Sequence, residues 1–356
     1  MRVAILAQGN SIHTIKWVNA LSKRGYEVSL ITMHEPEENI DQNVVVHLLR
    51  FSSPSGYYLN VFFLKRLLKK IKPDLLHVHY ASGYGTLGRL SGFKPLLLSV
   101  WGSDVYDFPE ESSLKKNILR KNLASADFIS STSHCMKIQT EKYINPRSPI
   151  EVIPFGVDTK VFYPQPNHDN NNVTIGMVKR MAPKYGPSYL IKAFSIIHKK
   201  YPDSKLFLIG GGPQEEELKH LVHKLGIDDY CTFIGSIPHG QVPKWLNKFD
   251  IYCAPSTLDS ESFGVAVVEA SACGLPVVVS RVGGLPEVVQ EGKTGLIVPP
   301  KDVNALANAL DLLIKNKPLR MRMGKAGRLF VEEYYDWEFC VDKMDQLYDR
   351  IMTNST

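Results

Sequence analysis

A chain of 356 residues exceeds what one hydrophobic core ordinarily serves, so two domains are expected, and 44% hydrophobic with 22% charged residues is a globular composition, neither disordered nor fibrous. No apolar run approaches the roughly 18 to 20 residues a membrane-spanning helix needs. The net charge of +6 is concentrated in two first-half runs, "LKRLLKKIKPD" (64–74) and "SLKKNILRKNL" (113–123). These read as solvated helix faces or as helices lying on anionic lipid headgroups. Nucleic acid is disfavoured, because neither run is interleaved with aromatics and no binding motif accompanies them.

In chain order, "RVAILA" reads as a first buried strand, since five apolar residues before Gln8 are too few for a secretory leader. "IHTIKWVNALSKRG" has helical spacing and "YEVSLIT" reads as a strand. "VVVHLLRF", "DLLHVHY", "PLLLSVWG", "DFISSTS" and "EVIPFG" are further short strands. The rhythm breaks at "FYPQPNHDNNNV" (162–173), a Pro, Asn and Asp cluster that reads as a linker. It resumes with "TIGMV", "KLFLIGGG", "CTFIG", "FDIYCAP", "LPVVVS" and "TGLIV", separated by helical segments. Strands alternating with helices predict parallel sheets of right-handed βαβ units. The expected fold class is therefore α/β, with doubly wound domains at 1–165 and 166–333 and a last amphipathic helix within 334–356. Cys135, Cys231, Cys253, Cys273 and Cys340 are odd in number and show no C-x-x-C spacing, which argues against a disulfide framework or zinc site and for a reducing cytoplasm.

Open parallel sheets bind ligands beyond the carboxyl ends of their strands. In "SESFGVAVVEASACGLPVVVS" (260–280), Glu261 and Glu269 bracket small and apolar residues that predict a helix from near Phe263 to Gly274, although Val265, Val267 and Val268 leave a strand open. If helical, the eight-residue spacing rises about 12 Å. That is beyond the roughly 5 to 9.5 Å of paired catalytic carboxylates in glycoside hydrolysis. Between them, the N–H groups of Gly264, Val265 and Ala266 would form a helix N-terminus, a ready anion site. Carboxylate, anion cradle and carboxylate match hydroxyls, diphosphate and hydroxyls, the layout of a nucleotide-sugar. The plainer alternative is that both glutamates are exposed and Glu261 merely favours the helix dipole. In "MVKRMAPKYGPSYLIKAF" (177–194), Arg180 and Lys184 follow a strand and read either as solvated loop residues or as cations that neutralise phosphate charge. No D-x-D metal motif is present, so neither metal nor cofactor is expected.

"ESFGVAVVEASACGLPVVVSRVGGLPEVV" resembles the signature of the retaining glycosyltransferase family 4, the glycogen-synthase-like group with the GT-B fold, whose E-x7-E motif is Glu261 to Glu269 here. "IPFGVD", "FLIGGGP", "FIGSIP" and "GKTGLIVPP" fall in the family's order, so nearly the whole chain is covered. The resemblance implies a retaining, metal-independent hexosyltransferase using a UDP-sugar ahead of a GDP-sugar. The basic first-half helices suggest a lipid-linked or otherwise anionic carbohydrate acceptor at the inner face of a cell membrane, as in cell-surface polysaccharide assembly. The resemblance assigns Glu269 to the ribose and Glu261 to the donor sugar. Ser262, Phe263, Gly264 and Val265 would meet the diphosphate and sugar, Gly235, Ser236 and Ile237 the base, and Arg180 the β-phosphate. A nucleotide-sugar epimerase and a non-catalytic degenerate subunit are the competing readings. The resemblance also implies that the last helix crosses back to the first domain.

On the acceptor side, Gly9 follows the first strand where a flexible backbone can approach phosphate, with Ser11 and His13 just after it. His79 stands at a strand end, while His77 is expected inside the sheet packing. The family often has His-Gly-x-Asp where this chain has Trp101, Gly102 and Asp104. A tryptophan cannot shuttle a proton, but it can stack on a sugar face. The family's lysine stands immediately before the glycine, where this chain has Tyr185, so Lys184 comes one place early.

Overall fold

In this computed structural model, residues 1–36, 39–165 and 172–355 are described. The chain forms two compact units, one of Met1–Phe155 with Cys340–Thr356 and the other of Gly156–Phe339. Half of the expected linker, residues 166–171, lies outside the described residues. The stretch 156–165, read from sequence with the first half, belongs to the second unit. There the Val157 N–H donates to the Tyr335 carbonyl (2.8 Å) and the Arg328 guanidinium holds the Phe162 carbonyl (2.5 Å).

The first unit holds strands β1 (Arg2–Leu6), β2 (Glu27–Thr32), β3 (Val45–Leu48), β4 (Leu75–His79), β5 (Leu96–Val100), β6 (Phe128–Ser131) and β7 (Glu151–Val152). They form one parallel sheet in the order β3-β2-β1-β4-β5-β6-β7. Helices cover both faces of the central strands, so these read as continuous apolar runs, as in Leu96, Leu97 and Leu98 of β5. Part of the covering comes from the Trp337–Ser355 helix. Its Cys340, Val341, Met344, Leu347, Tyr348 and Ile351 are buried at helical spacing, and the Tyr348 hydroxyl meets His77 Nδ1 at 2.7 Å. His77 is thus inside the packing, its other ring nitrogen 2.6 Å from Ser99 Oγ.

The second unit repeats the plan with β8 (Thr174–Val178), β9 (Lys205–Ile209), β10 (Cys231–Gly235), β11 (Ile251–Ala254), β12 (Val277–Ser280) and β13 (Gly295–Val298), ordered β10-β9-β8-β11-β12-β13 and parallel throughout. The chain winds outward from β8 to β10, then returns to start again beside β8 at β11. That reversal is the switch point of a doubly wound sheet, where the loops after the two central strands part and leave a crevice. The loops that matter are therefore those following β8 and β11.

The stretch after Gly264 is helical, not extended, but the helix is shorter than the sequence implies: Val265–Ala272. Gly264 sets its start with a left-handed φ of +95°. A Cβ there would lie 2.7 Å from Leu285 Cδ2, so both conformation and space require glycine. Burial of Val267 and Val268 overrides the modest helix propensity of β-branched residues.

Candidate functional site

The shortened helix moves Glu261 off it. Glu261 lies in the loop after β11, ahead of the left-handed turn at Gly264, and only Glu269 is helical. A loop thus presents one carboxylate and the helix the other, so a helical rise of about 12 Å does not describe their separation. The 261–264 loop is clamped from outside by Gly284 N–H donating to the Glu261 carbonyl (3.0 Å) and Gly283 N–H donating to the Asp259 carboxylate (2.9 Å). Neither glutamate is exposed, which removes the plainer alternative: Glu261 is 6% and Glu269 4% accessible.

Buried carboxylates need partners, and each has one. Glu261 Oε1 is 2.9 Å from the Lys179 ammonium, the first residue after β8. Glu269 Oε1 is 2.7 Å from His239 Nε2. Burial works against the Lys179 charge, but the Glu261 carboxylate and its hydrogen bond outweigh it and hold the lysine above its ordinary pKa. Tyr252 on β11 is fully buried, its hydroxyl donating to the Val178 carbonyl (3.2 Å). Burial first, then the nearby Glu269 and Glu261 carboxylates, push its phenol well above the usual range.

Beside this charged line runs a groove of about 590 Å³ lined by Lys179, Arg180, Gly210–Gly212, Ser236, Ile237 and His239. Arg180 is exposed there, and among the described residues no carboxylate pairs with its guanidinium. Gly235 ends β10, while Ser236 Oγ accepts from the Gly211 N–H (3.1 Å) and so fixes the two groove loops together. Phe263 and Ser262 are buried, whereas Val265 and Ala266 remain partly accessible at the helix start. The Val267 and Val268 N–H groups turn back to the Gly264 carbonyl (2.9 and 3.2 Å). The helix-start N–H groups are thus those of Val265 and Ala266, one residue later than expected, because the helix begins later. Lys184 Nζ donates to the Ser260 carbonyl (2.8 Å), behind the Glu261 loop.

Sequence reasoning missed Lys179 and His239. The signal for Lys179 was alternation: Ile175 and Met177 are buried on β8, and Lys179 continues their parity where the strand runs into the crevice. His239, six residues downstream of Phe233 in "FIGSIPHG", carried none, since its carboxylate partner is remote in sequence.

In the first unit, three of the expected residues make contacts within the fold itself. Gly9 is buried, and a Cβ there would stand 2.4 Å from the His34 carbonyl, so packing against the end of β2 requires this glycine without any ligand. Asp104 is fully buried, its carboxylate accepting from the N–H groups of Ala81 (2.7 Å), Gly102 (2.8 Å) and Trp101 (3.1 Å), and so shapes the loop. His79 is buried with its ring 4.5 Å from that of Trp101, and burial holds it neutral by drawing its pKa well below the ordinary value. Trp101 itself is half-buried, with Phe155 at 5.3 Å. His13 stacks on Phe155 at 4.2 Å, and Ser11 is the N-cap of the Ile12–Lys23 helix.

Two doubly wound parallel sheets, with a crevice of buried carboxylates, cations and a helix start at one switch point, define a nucleotide-binding α/β enzyme. Residues 158–330 match the family described as glycosyl transferases group 1, and residues 2–133 the one described as glycosyl transferase 4-like. A GDP-mannose-dependent α-(1-6)-phosphatidylinositol monomannoside mannosyltransferase of Mycolicibacterium smegmatis is 30% identical over 267 residues, 71% of this chain and 69% of that protein. An N-acetyl-α-D-glucosaminyl L-malate synthase of Bacillus anthracis is 26% identical over 355 residues, 92% of this chain and 90% of its own. Sucrose-phosphate synthase from Thermosynechococcus elongatus superimposes with a TM-score of 0.84 at 24% identity, covering 99% of this chain and 100% of that one. Anabaena HepE in complex with UDP gives 0.84 at 18% identity, covering 98% and 100%. The chain belongs to the group 1 glycosyltransferases. It is a hexosyltransferase of GT-B fold that takes its sugar from a nucleotide-sugar.

Proposed function

We propose that the protein is a retaining, metal-independent transferase that moves a hexose from a UDP-sugar, ahead of a GDP-sugar, to a carbohydrate or lipid-linked hydroxyl. The observation carrying this reading is the pairing of both buried glutamates along a groove that also holds Arg180. Glu269 would take the ribose hydroxyls, the Val265 and Ala266 N–H groups the diphosphate, Glu261 the hexose hydroxyls and Gly235–Ile237 the base. Uracil is preferred over guanine because the groove lining holds no carboxylate to accept from guanine's adjacent N–H donors.

Neither glutamate is disposed as a general base, Glu261 being tied to Lys179 and Glu269 to His239. The reaction then proceeds on one face of the donor. The C1–O bond to the β-phosphate breaks with its electron pair leaving on the nucleotide, the acceptor oxygen bonds to C1, and the acceptor proton passes to the departing β-phosphate oxygen. Protein groups supply charge and position. A thermal-shift comparison of UDP- and GDP-sugars tests the donor, because binding stabilises by mass action. Equal shifts with both, or none, would refute the preference. Activity is expected to survive EDTA, and the product's anomeric configuration, read by NMR, should match the donor's.

For the acceptor side we infer peripheral contact with an anionic membrane in a cytoplasmic enzyme. Among the described residues, no helix is long and apolar enough to cross a membrane. The two basic runs separate in the structure. In the Ser113–Ser125 helix, Lys115 pairs with Glu111 and Lys116 lies 5.7 Å from the Tyr143 ring centre, a locally satisfied face. In the Val61–Ile71 helix, Leu64 and Leu68 anchor one side while Lys65, Arg66, Lys69 and Lys70 are exposed beside Phe62, itself 69% accessible. Exposed aromatics among lysines suit a headgroup boundary. Phe62→Ser with Lys69→Glu should abolish co-sedimentation with phosphatidylglycerol vesicles; wild-type binding equal to that on pure phosphatidylcholine would refute the contact.

A further inference from the structure

The groove contains a cation that neither the family resemblance nor the relatives' names assign. Lys179 is the one residue common to two linings: the donor groove, and a small enclosed cavity formed with Glu261, Tyr252, Gly264, Ala266 and Val267 beneath the helix start. Its ammonium carries three donors. One is given to Glu261 at 2.9 Å, and the Tyr185 ring centre lies 4.9 Å away, at cation–π distance. The side chain keeps 24% of its accessibility and lines the groove, so Lys179 is not shut away from it by these contacts. Lys184, the cation expected here from sequence, is committed to the Ser260 carbonyl. The place immediately before Gly186, where the resemblance expects a lysine, holds the Tyr185 ring over which Lys179 lies.

We propose that Lys179 is a catalytic residue that receives the departing β-phosphate, with Tyr185 the positioning residue that aims it. This rests on the transferase reading above. As the C1–O bond breaks, its electron pair raises the charge on the β-phosphate oxygen. Lys179, partly desolvated and already charged, stabilises that oxygen with a free N–H, while its bond to Glu261 ties the sugar-binding carboxylate to the same event. The acceptor proton still goes to the phosphate oxygen; Lys179 keeps its own. Burial of Glu261 requires a counter-ion at this place, and the groove lining gives that counter-ion a side open to a ligand.

The nucleoside diphosphate tests this without turnover, because its terminal phosphate carries the charge the leaving group acquires. In Lys179→Met, the preference for UDP over UMP by calorimetry should shrink at least about tenfold, and kcat should fall on the order of 10²-fold, as on removing one charge-stabilising donor. Adding Tyr185→Lys places a new ammonium in the vacated space and should restore at least about tenfold of the lost kcat. If Lys179→Met does not fold, Glu261→Gln with Lys179→Met removes both buried charges together and should lose the same UDP preference. A folded variant with unchanged UDP preference, or a kcat loss that Tyr185→Lys leaves untouched, overturns the proposal and reduces Lys179 to a counter-ion for Glu261. Should wild-type protein bind neither UDP nor GDP, the donor reading itself fails, so the two failures are distinct.

Discussion

Replacing Glu269 by Gln isolates the ribose contact. The carboxylate is 4% accessible and accepts at 2.7 Å from His239, whose side chain is 31% accessible. The amide fills the same volume, so the helix and its packing stay intact. What changes is one carboxylate oxygen, replaced by an NH₂ that meets a hydroxyl donor with another donor. Hydrogen bonds to charged groups contribute about 1.5–3 kcal/mol, which converts to roughly 10- to 150-fold in Kd. The lower end is expected, because the carboxylate must loosen its existing His239 contact to take the ribose. Calorimetric titration of UDP into wild-type and Glu269→Gln protein reads the loss directly. Titration of 2′,3′-dideoxy-UDP assigns it: both proteins should bind this analogue with similar, weak affinity. An equal penalty on UDP and on the dideoxy analogue would refute a ribose role. So would an unchanged UDP affinity in a folded variant.

Glu261→Ala should leave UDP affinity within about threefold while cutting kcat, since its proposed partner is the sugar; a parallel loss of UDP affinity would merge the two glutamate roles. Arg180→Ala should lower kcat on the order of 10²-fold at unchanged Tm, because the side chain is exposed and holds nothing together; a wild-type rate would remove Arg180 from the site. Acid should weaken the first unit. Burial draws His77 down to about 3, against 6.5 in the unfolded chain, so between these values the unfolded state binds the extra proton. The His77 contribution is then whole above pH 6.5 and falls by about 1.4 kcal/mol per pH unit below it, and the buried neutral His79 adds in the same direction. Urea midpoints that stay flat from pH 7.5 to 5 would contradict the buried neutral imidazole.

The architecture was legible because its physics is local. A strand covered on both faces must be a short, nearly continuous apolar run, so "PLLLSVWG" and "LPVVVS" announce themselves as β5 and β12 without knowledge of their neighbours. The helix start was misplaced by two residues, since nothing local distinguishes a glycine inside a first turn from one held left-handed by contact with Leu285. Gly9, His79 and Asp104 carry a fold role that the sequence did not show, for a related reason. Each stands after a strand, where ligands gather, yet each is used by the fold: Gly9 by the His34 carbonyl, Asp104 by three backbone N–H groups, His79 by the underside of Trp101. A strand end needs loop-shaping residues as much as ligand-binding ones, and sequence shows only that polar groups are there.

The glutamates show what separates the two uses. A loop-shaping carboxylate such as Asp104 spends its capacity on backbone N–H groups that do not move. Glu261 and Glu269 are equally buried, but each leans on a single side chain, Lys179 or His239, that also lines the groove. Such a pair balances charge while the site waits, and it exchanges partners at modest cost when hydroxyls or phosphate arrive, because the partner can turn toward the ligand instead of being abandoned. On the proposed function, a buried carboxylate whose counter-group is itself accessible is the kind that binds ligand. This criterion singles out Glu261 and Glu269 and passes over Asp104, a distinction that no spacing of acidic residues along the chain could draw.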